Sequence, residues 1–350
     1  MAKRASESKG IFTISLDFEL IWGTLDLFGT DGFGRDCLVE REQVIGRLLD
    51  LFTEFEVPAT WCILGHLFLD HCEPQGGVRH PEIVRPRHKW FTNDWFANDP
   101  CGTESTQPLF FGRKLVDMIR SCPVPQEIGS HSFSHVIFGD EGCSEQTAST
   151  ELAACVKLAD EIGLRLKSFA FPRNEPGHLD LLPKYGFTNY RGPEPNWYYK
   201  TGYPSIVRRL AHLADVALAA SPPVVTPEVT HNGLVNIPGS MIYFPRHGFR
   251  RYIPMSVRIR RAVKGLKAAV AQKRIFHLWF HPTNLAGDRE TMDAMFGGLH
   301  EILESAQALR RQGGIEFLTM GQIADSFARK SLLAEAREAA ATGGNISCVG

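Results

Sequence analysis

The chain has 350 residues, 43% hydrophobic and 22% charged, an average composition that excludes fibrous and intrinsically disordered architectures. Lys and Arg total 38 against 39 Asp and Glu, a formal net charge of -1. That balance argues against a dedicated nucleic-acid binder, which needs a broad positive excess to displace counterions from phosphate.

Short β-branched or aromatic runs alternate with helical stretches along the chain. The opening MAKRASESKG has no apolar core or small-residue cleavage site and does not read as a signal peptide. Residues 10–16 (GIFTISL) read as a strand. A helix is expected over 39–55, with Val44, Leu48, Leu51, Phe52 and Phe55 on one face. Further strands are expected at 59–64, 127–130, 167–171, 188–191, 234–238, 275–280 and 315–318, with helices at 146–162 and 290–310. This rhythm predicts an α/β fold, a distorted (β/α) barrel of about seven strands. It forms a single domain over 10–328 with long loop insertions at 71–108 and 196–236, followed by a frayed or disordered tail at 329–350. No stretch approaches the roughly 18 consecutive apolar residues that span a bilayer. The 8 cysteines form no CxxC pair and read as reduced thiols, so a cytoplasmic location is expected.

Three segments place ligand-type side chains at the C-terminal ends of predicted strands, the face where barrel enzymes gather their chemistry. In SLDFE, alternation sends Asp17 and Glu19 to the same side. Neighbouring carboxylates repel unless a cation or a proton sits between them. In GSHSFSH, His131 and His135 are spaced to converge on one ion. In HLWFHPTN, the strand ends at His281 before Pro282. One carboxylate with two histidines leaves coordination positions open for water and substrate. A second carboxylate can then act as general base and a further histidine as general acid, the minimum kit for metal-assisted hydrolysis of an amide or ester.

With these segments and FAFPRNEPG in this order, the sequence resembles the polysaccharide deacetylase (NodB-homology) family over about residues 10–320. The resemblance implies a divalent metal, commonly zinc, and hydrolytic removal of an N-acetyl group, usually from a sugar. It makes Asp17 the catalytic base, Glu19, His131 and His135 the metal ligands, and His281 the general acid. Two departures stand out. The common family pattern has adjacent aspartates where this chain has Asp17 and Phe18, and the usual Arg precedes the Pro where Arg173 follows Pro172 here. Arg173 then either orients Asp17 or binds substrate.

Trp90, Trp95 and Trp197 either pack under the long loops or form a lid or wall for a sugar ring, with Asn174 and Asn284 also expected on the substrate. Cys62, His66, His71 and Cys72 lie close enough in sequence to suggest a second metal site, but read as buried thiols and helix-facing histidines. Residues 229–287 contain no acid while arginines and lysines crowd 246–274, which suggests contact with phosphate or an anionic membrane surface. An enzyme without an export signal does not easily meet finished wall polymer, so the expected substrate is an N-acetylated amino sugar in a precursor, nucleotide- or lipid-linked. A hydrolase of a small amide or cyclic imide, or a carbohydrate-binding pseudoenzyme without turnover, are the alternatives.

Overall fold

The structure, a computed structural model, describes residues 9–195 and 220–329. Trp197 and residues 330–350 of the expected tail lie outside the described residues.

The centre of the fold is β1 (Gly10–Phe18), buried at every position but Ile11. Burial on both faces is the mark of a parallel strand covered by helices, and explains why GIFTISL shows no alternation. β2 (Thr60–Ile63) pairs with it in parallel, Asp17 opposite Cys62, and β5 (Glu127–Ser130) pairs with β2. The sheet continues through β6 (Ser168–Ala170), β7 (Asn189–Arg191) and β9 (Val235–Asn236), edged by the antiparallel β8 (Glu228–Val229). On the other side of β1 lie β11 (Ile275–Phe280) and then β10 (Met241–Ile242), while β12 (Ile315–Phe317) pairs with the start of β1. A separate two-residue ribbon joins β3 (His71–Cys72) to β4 (Gly102–Thr103). The parallel strands curl into a half-barrel whose outer strands, β10 and β8, are not paired to each other among the described residues.

Helices α1 (Trp22–Phe28), α2 (Gly34–Val39), α3 (Ile45–Glu54), α4 (Arg113–Arg120), α5 (Glu145–Glu161), α6 (Met255–Gln272) and α7 (Arg289–Arg311) surround the sheet. The expected helix over 39–55 is interrupted by a π-helical turn, Glu40–Val44, before α3 begins. Ser144 and Asp288 cap α5 and α7 by accepting the amides of Thr147 and Thr291. Helix α6, inside the basic segment, buries Val257, Ala262, Leu266 and Ala269 on one stripe. No described helix is long and apolar enough to cross a membrane.

Candidate metal and catalytic site

The C-terminal ends of β1, β5, β7 and β11 bring Asp17, Glu19, His131, His135, Arg191 and His281 into one cluster. Glu19 Oε2 lies 3.1 Å from His131 Nε2 and 3.2 Å from His135 Nε2. This oxygen is buried and has no hydrogen-bond partner. His131 Nδ1 sits 2.9 Å from Ala170 O, so it carries the proton and turns the Nε2 lone pair toward Glu19. Lone pairs converging in a buried space repel unless a cation lies among them. Ligands about 2.0–2.2 Å from a zinc-sized ion stand roughly 3.3–3.6 Å apart, so these side chains fit a divalent cation with little movement. Burial alone would raise the Glu19 carboxyl, but the imidazoles of His281 and His135 hold it well below the usual carboxylate range.

Two backbone features make the cluster possible. Gly23 in α1 leaves room for Glu19, since a Cβ there would sit 1.8 Å from Glu19 Oε1. The loop after β5 carries Ser132 at φ 63° and His135 at φ 65°, left-handed conformations that cost about 1–3 kcal/mol each for ordinary residues. Buried Glu151 of α5 holds that loop by accepting Phe133 N at 2.8 Å, Ser134 N at 2.9 Å and Ser134 Oγ at 2.6 Å. Ser132 Oγ accepts His135 N at 3.0 Å.

Asp17 is 2% exposed and faces Arg191, which donates to Oδ1 at 2.7 Å and Oδ2 at 2.6 Å. Burial pushes the Asp17 carboxyl up, but the Arg191 guanidinium brings it below its ordinary value. Arg191 also donates to Asn174 Oδ1 at 2.9 Å and Ser15 Oγ at 3.1 Å, and stacks 4.3 Å over Trp279. Arg191 thus has the role suggested for Arg173. Arg173 pairs with Asp26 and lies 4.7 Å over Trp90, because its left-handed φ of 55° turns it away from Asp17. The same strand-end rule that singled out the other segments applies to Arg191 at the end of β7; an arginine there reads equally well as a solvated strand end. His281 Nε2 stands 3.5 Å from Glu19 Oε1 and 3.8 Å from Asp17 Oδ2. Its side chain is 27% exposed, the open member of the cluster.

A cleft of about 710 Å³ opens at Glu19 and His281, walled by Phe33, Asn284, Arg246 and Arg250. Asn284 is fixed by donating to Tyr243 O at 3.0 Å. The expected tryptophan wall lies elsewhere. Trp95 is buried and donates its indole N–H to Ser134 O and Oγ at 3.0 Å, bracing the histidine loop from behind. Trp90 donates to Asp140 outside the cleft. Asn174 serves Arg191 and does not line the cleft either.

The basic segment divides in two. Arg258 and Arg261 are buried, Arg258 donating to the carbonyls of Phe244 and Arg250 and Arg261 to that of Ala220, which takes them off the solvent-facing surface. Arg246 and Arg250 face the cleft.

The sequence matches no family model and no curated protein. Among solved structures, a candidate polysaccharide deacetylase from Mycobacterium smegmatis superposes with a TM-score of 0.60 at 15% identity, covering 94% of each chain. The PuuE allantoinase superposes at 0.55 with 11% identity, covering 92% of this chain and 91% of that one. A candidate polysaccharide deacetylase from Pseudomonas aeruginosa PAO1 gives 0.54 at 10% identity, with 91% of each chain covered. At such identities the fold is what is shared, and it is the fold of polysaccharide deacetylases.

Proposed function

We propose that this protein is a zinc-dependent hydrolytic N-deacetylase of an N-acetylated amino sugar, carried on a phosphate-bearing precursor in the cytoplasm. The observation that carries this reading is the partnerless Glu19 Oε2, 3.1 and 3.2 Å from two imidazole nitrogens, with a second carboxylate and a third imidazole beside it. A divalent cation in that place would supply Lewis-acid polarisation of the acetyl carbonyl and a water acidic near neutral pH. Asp17, kept ionised and aimed by Arg191, takes the proton of the attacking water. His281, at the cleft edge, gives a proton to the departing amine. Arg246 and Arg250 on the cleft wall suit a phosphate or diphosphate. The seven described cysteines are all free thiols, in keeping with a reducing compartment.

A small amide or cyclic imide is the second reading, favoured by the likeness to an allantoinase fold. The cleft of about 710 Å³ and its two arginines favour the larger anionic donor. A screen of acetylated nucleotide sugars and lipid-linked sugars for released acetate, with and without chelator, decides between them. Chelator-sensitive acetate release is the expected result. Stoichiometric metal with turnover of a cyclic imide alone would transfer the assignment to the second reading, and a metal-free sugar binder would remove hydrolysis altogether.

A further inference from the structure

Residues 71–103 form a long excursion whose strands are only the two-residue pair β3 and β4. Where it folds back onto the barrel, four ligand-type side chains meet. Asp99 Oδ2 stands 3.0 Å from His80 Nε2, 3.5 Å from His66 Nε2 and 3.8 Å from Cys72 Sγ. One donor atom from each of the four lies within 4.8 Å of all the others. His66 and Asp99 are fully buried, His80 is 6% exposed and Cys72 9%.

His66 makes the cluster more than a packing coincidence. Its Nδ1 sits 3.0 Å from Phe110 O and so carries the proton, leaving the lone pair on Nε2. That nitrogen is buried, has no hydrogen-bond partner, and faces a carboxylate oxygen. Such an arrangement is repulsive unless something positive lies between the two. The outer contacts are those of ligands held in place: Asp99 Oδ1 accepts Cys101 N at 2.9 Å, and His80 Nδ1 lies 3.4 Å from Glu82 Oε1.

We infer that His66, Cys72, His80 and Asp99 form a second, closed metal site that takes a zinc-type divalent cation and pins the 71–103 excursion to the barrel. Ligands about 2.0–2.3 Å from zinc stand roughly 3.3–3.8 Å apart, close to the separations observed from Asp99 Oδ2. One thiolate, two imidazoles and one carboxylate suit zinc better than calcium or magnesium, which prefer all-oxygen shells. With four protein ligands no coordination position is left for substrate, so the role is structural. Binding deprotonates the Cys72 thiol, and the proton passes to solvent. His66 and Cys72 read as packing residues from local spacing because their partners, His80 and Asp99, come from the excursion. Cys62 pairs within the sheet opposite Asp17, and His71 is exposed, so neither joins the site.

The test uses the reduced full-length chain. A His131→Ala/His135→Ala variant should keep about one equivalent of zinc after dialysis, and adding Cys72→Ser should reduce this at least tenfold. In cobalt-loaded parent protein, a thiolate-to-cobalt charge-transfer band should appear and vanish in Cys72→Ser. The donor set Glu19, His131 and His135 contains no sulfur, and loss of the band in Cys72→Ser assigns it to the second site, whether or not the protein releases acetate. Should Cys72→Ser fail to fold, the band in the parent decides. A cobalt-saturated parent without that band, zinc retained undiminished in the triple variant, or a Cys72–Cys101 disulfide found by mass spectrometry of the reduced-purified protein would overturn the inference.

Discussion

Arg191 grips Asp17 through both terminal guanidinium nitrogens, at 2.7 and 2.6 Å, in a place where the arginine is 1% exposed. The geometry keeps a buried carboxylate ionised and fixes the direction of its proton-accepting oxygen. A lysine can supply the charge but not the planar two-point contact. Arg191→Lys is therefore expected to lower kcat roughly ten- to hundredfold with little change in KM, because Arg191 does not line the cleft. Arg191→Ala should also cost about 3–5 kcal/mol of stability by leaving Asp17 unpaired. Steady-state kinetics and denaturant melts check both; a normal kcat in the lysine variant would show that Asp17 needs no such support.

Gly23→Ala tests the position of the Glu19 carboxylate. The added methyl would come within 1.8 Å of Glu19 Oε1 and 2.1 Å of its Cδ, so the carboxylate must swing away from the histidines. Alanine is otherwise the better helix residue, by about 1 kcal/mol. The metal-free variant should melt no lower than the parent, while calorimetric titration in a Cys72→Ser background, which leaves only the Glu19 site, should read at least tenfold weaker zinc binding. Equal affinity would mean that Glu19 is not a ligand.

His277 gives a pH signature. Burial, with the Arg191 charge nearby, pushes its pKa down to about 3, and the ring stays between Pro238 O at 3.1 Å and Ser15 Oγ at 2.8 Å. An unfolded histidine titrates near 6.5, so between about pH 6.5 and 3 the unfolded chain binds the extra proton. The stability this residue contributes is present above that window and is lost as pH falls through it, by a few kcal/mol in all. Denaturant melts in chelator should therefore show a steeper loss below pH 6.5 for the parent than for His277→Gln. Parallel pH profiles would contradict this.

Arg246→Ala and Arg250→Ala address the anion on the substrate. Each is expected to raise KM roughly tenfold for a phosphate-bearing donor and leave a neutral N-acetylated sugar unaffected. The difference should shrink at high salt, as exposed electrostatics are screened. Equal effects on both donors would assign these arginines to general cleft shape.

What could be read from the sequence was whatever depends on local period. The strand that carries Asp17 and ends one residue before Glu19, the strand before His131, and His281 ahead of Pro282 follow from side-chain direction, burial and the reach of one segment. Arg191 escaped because its partner is Asp17, distant in sequence, and a terminal arginine on a strand looks the same whether solvated or buried. Trp95 misled for a related reason: a loop tryptophan suggests a ring-stacking wall, yet its N–H was needed by Ser134. Helix α6 was hidden by its arginines, since an acid-free basic run reads as surface. Only packing against the carbonyls of Phe244, Arg250 and Ala220 shows that Arg258 and Arg261 are interior.

The left-handed residues Ser132 and His135 also limit how far the HSFSH segment can travel. Excised as a short peptide, it would relax toward ordinary backbone angles and its two imidazoles would drift apart, because nothing would replace Glu151. Transplanting the five letters into another scaffold would carry over the donor atoms without their arrangement. The portable unit is the loop together with the buried acid of a neighbouring helix.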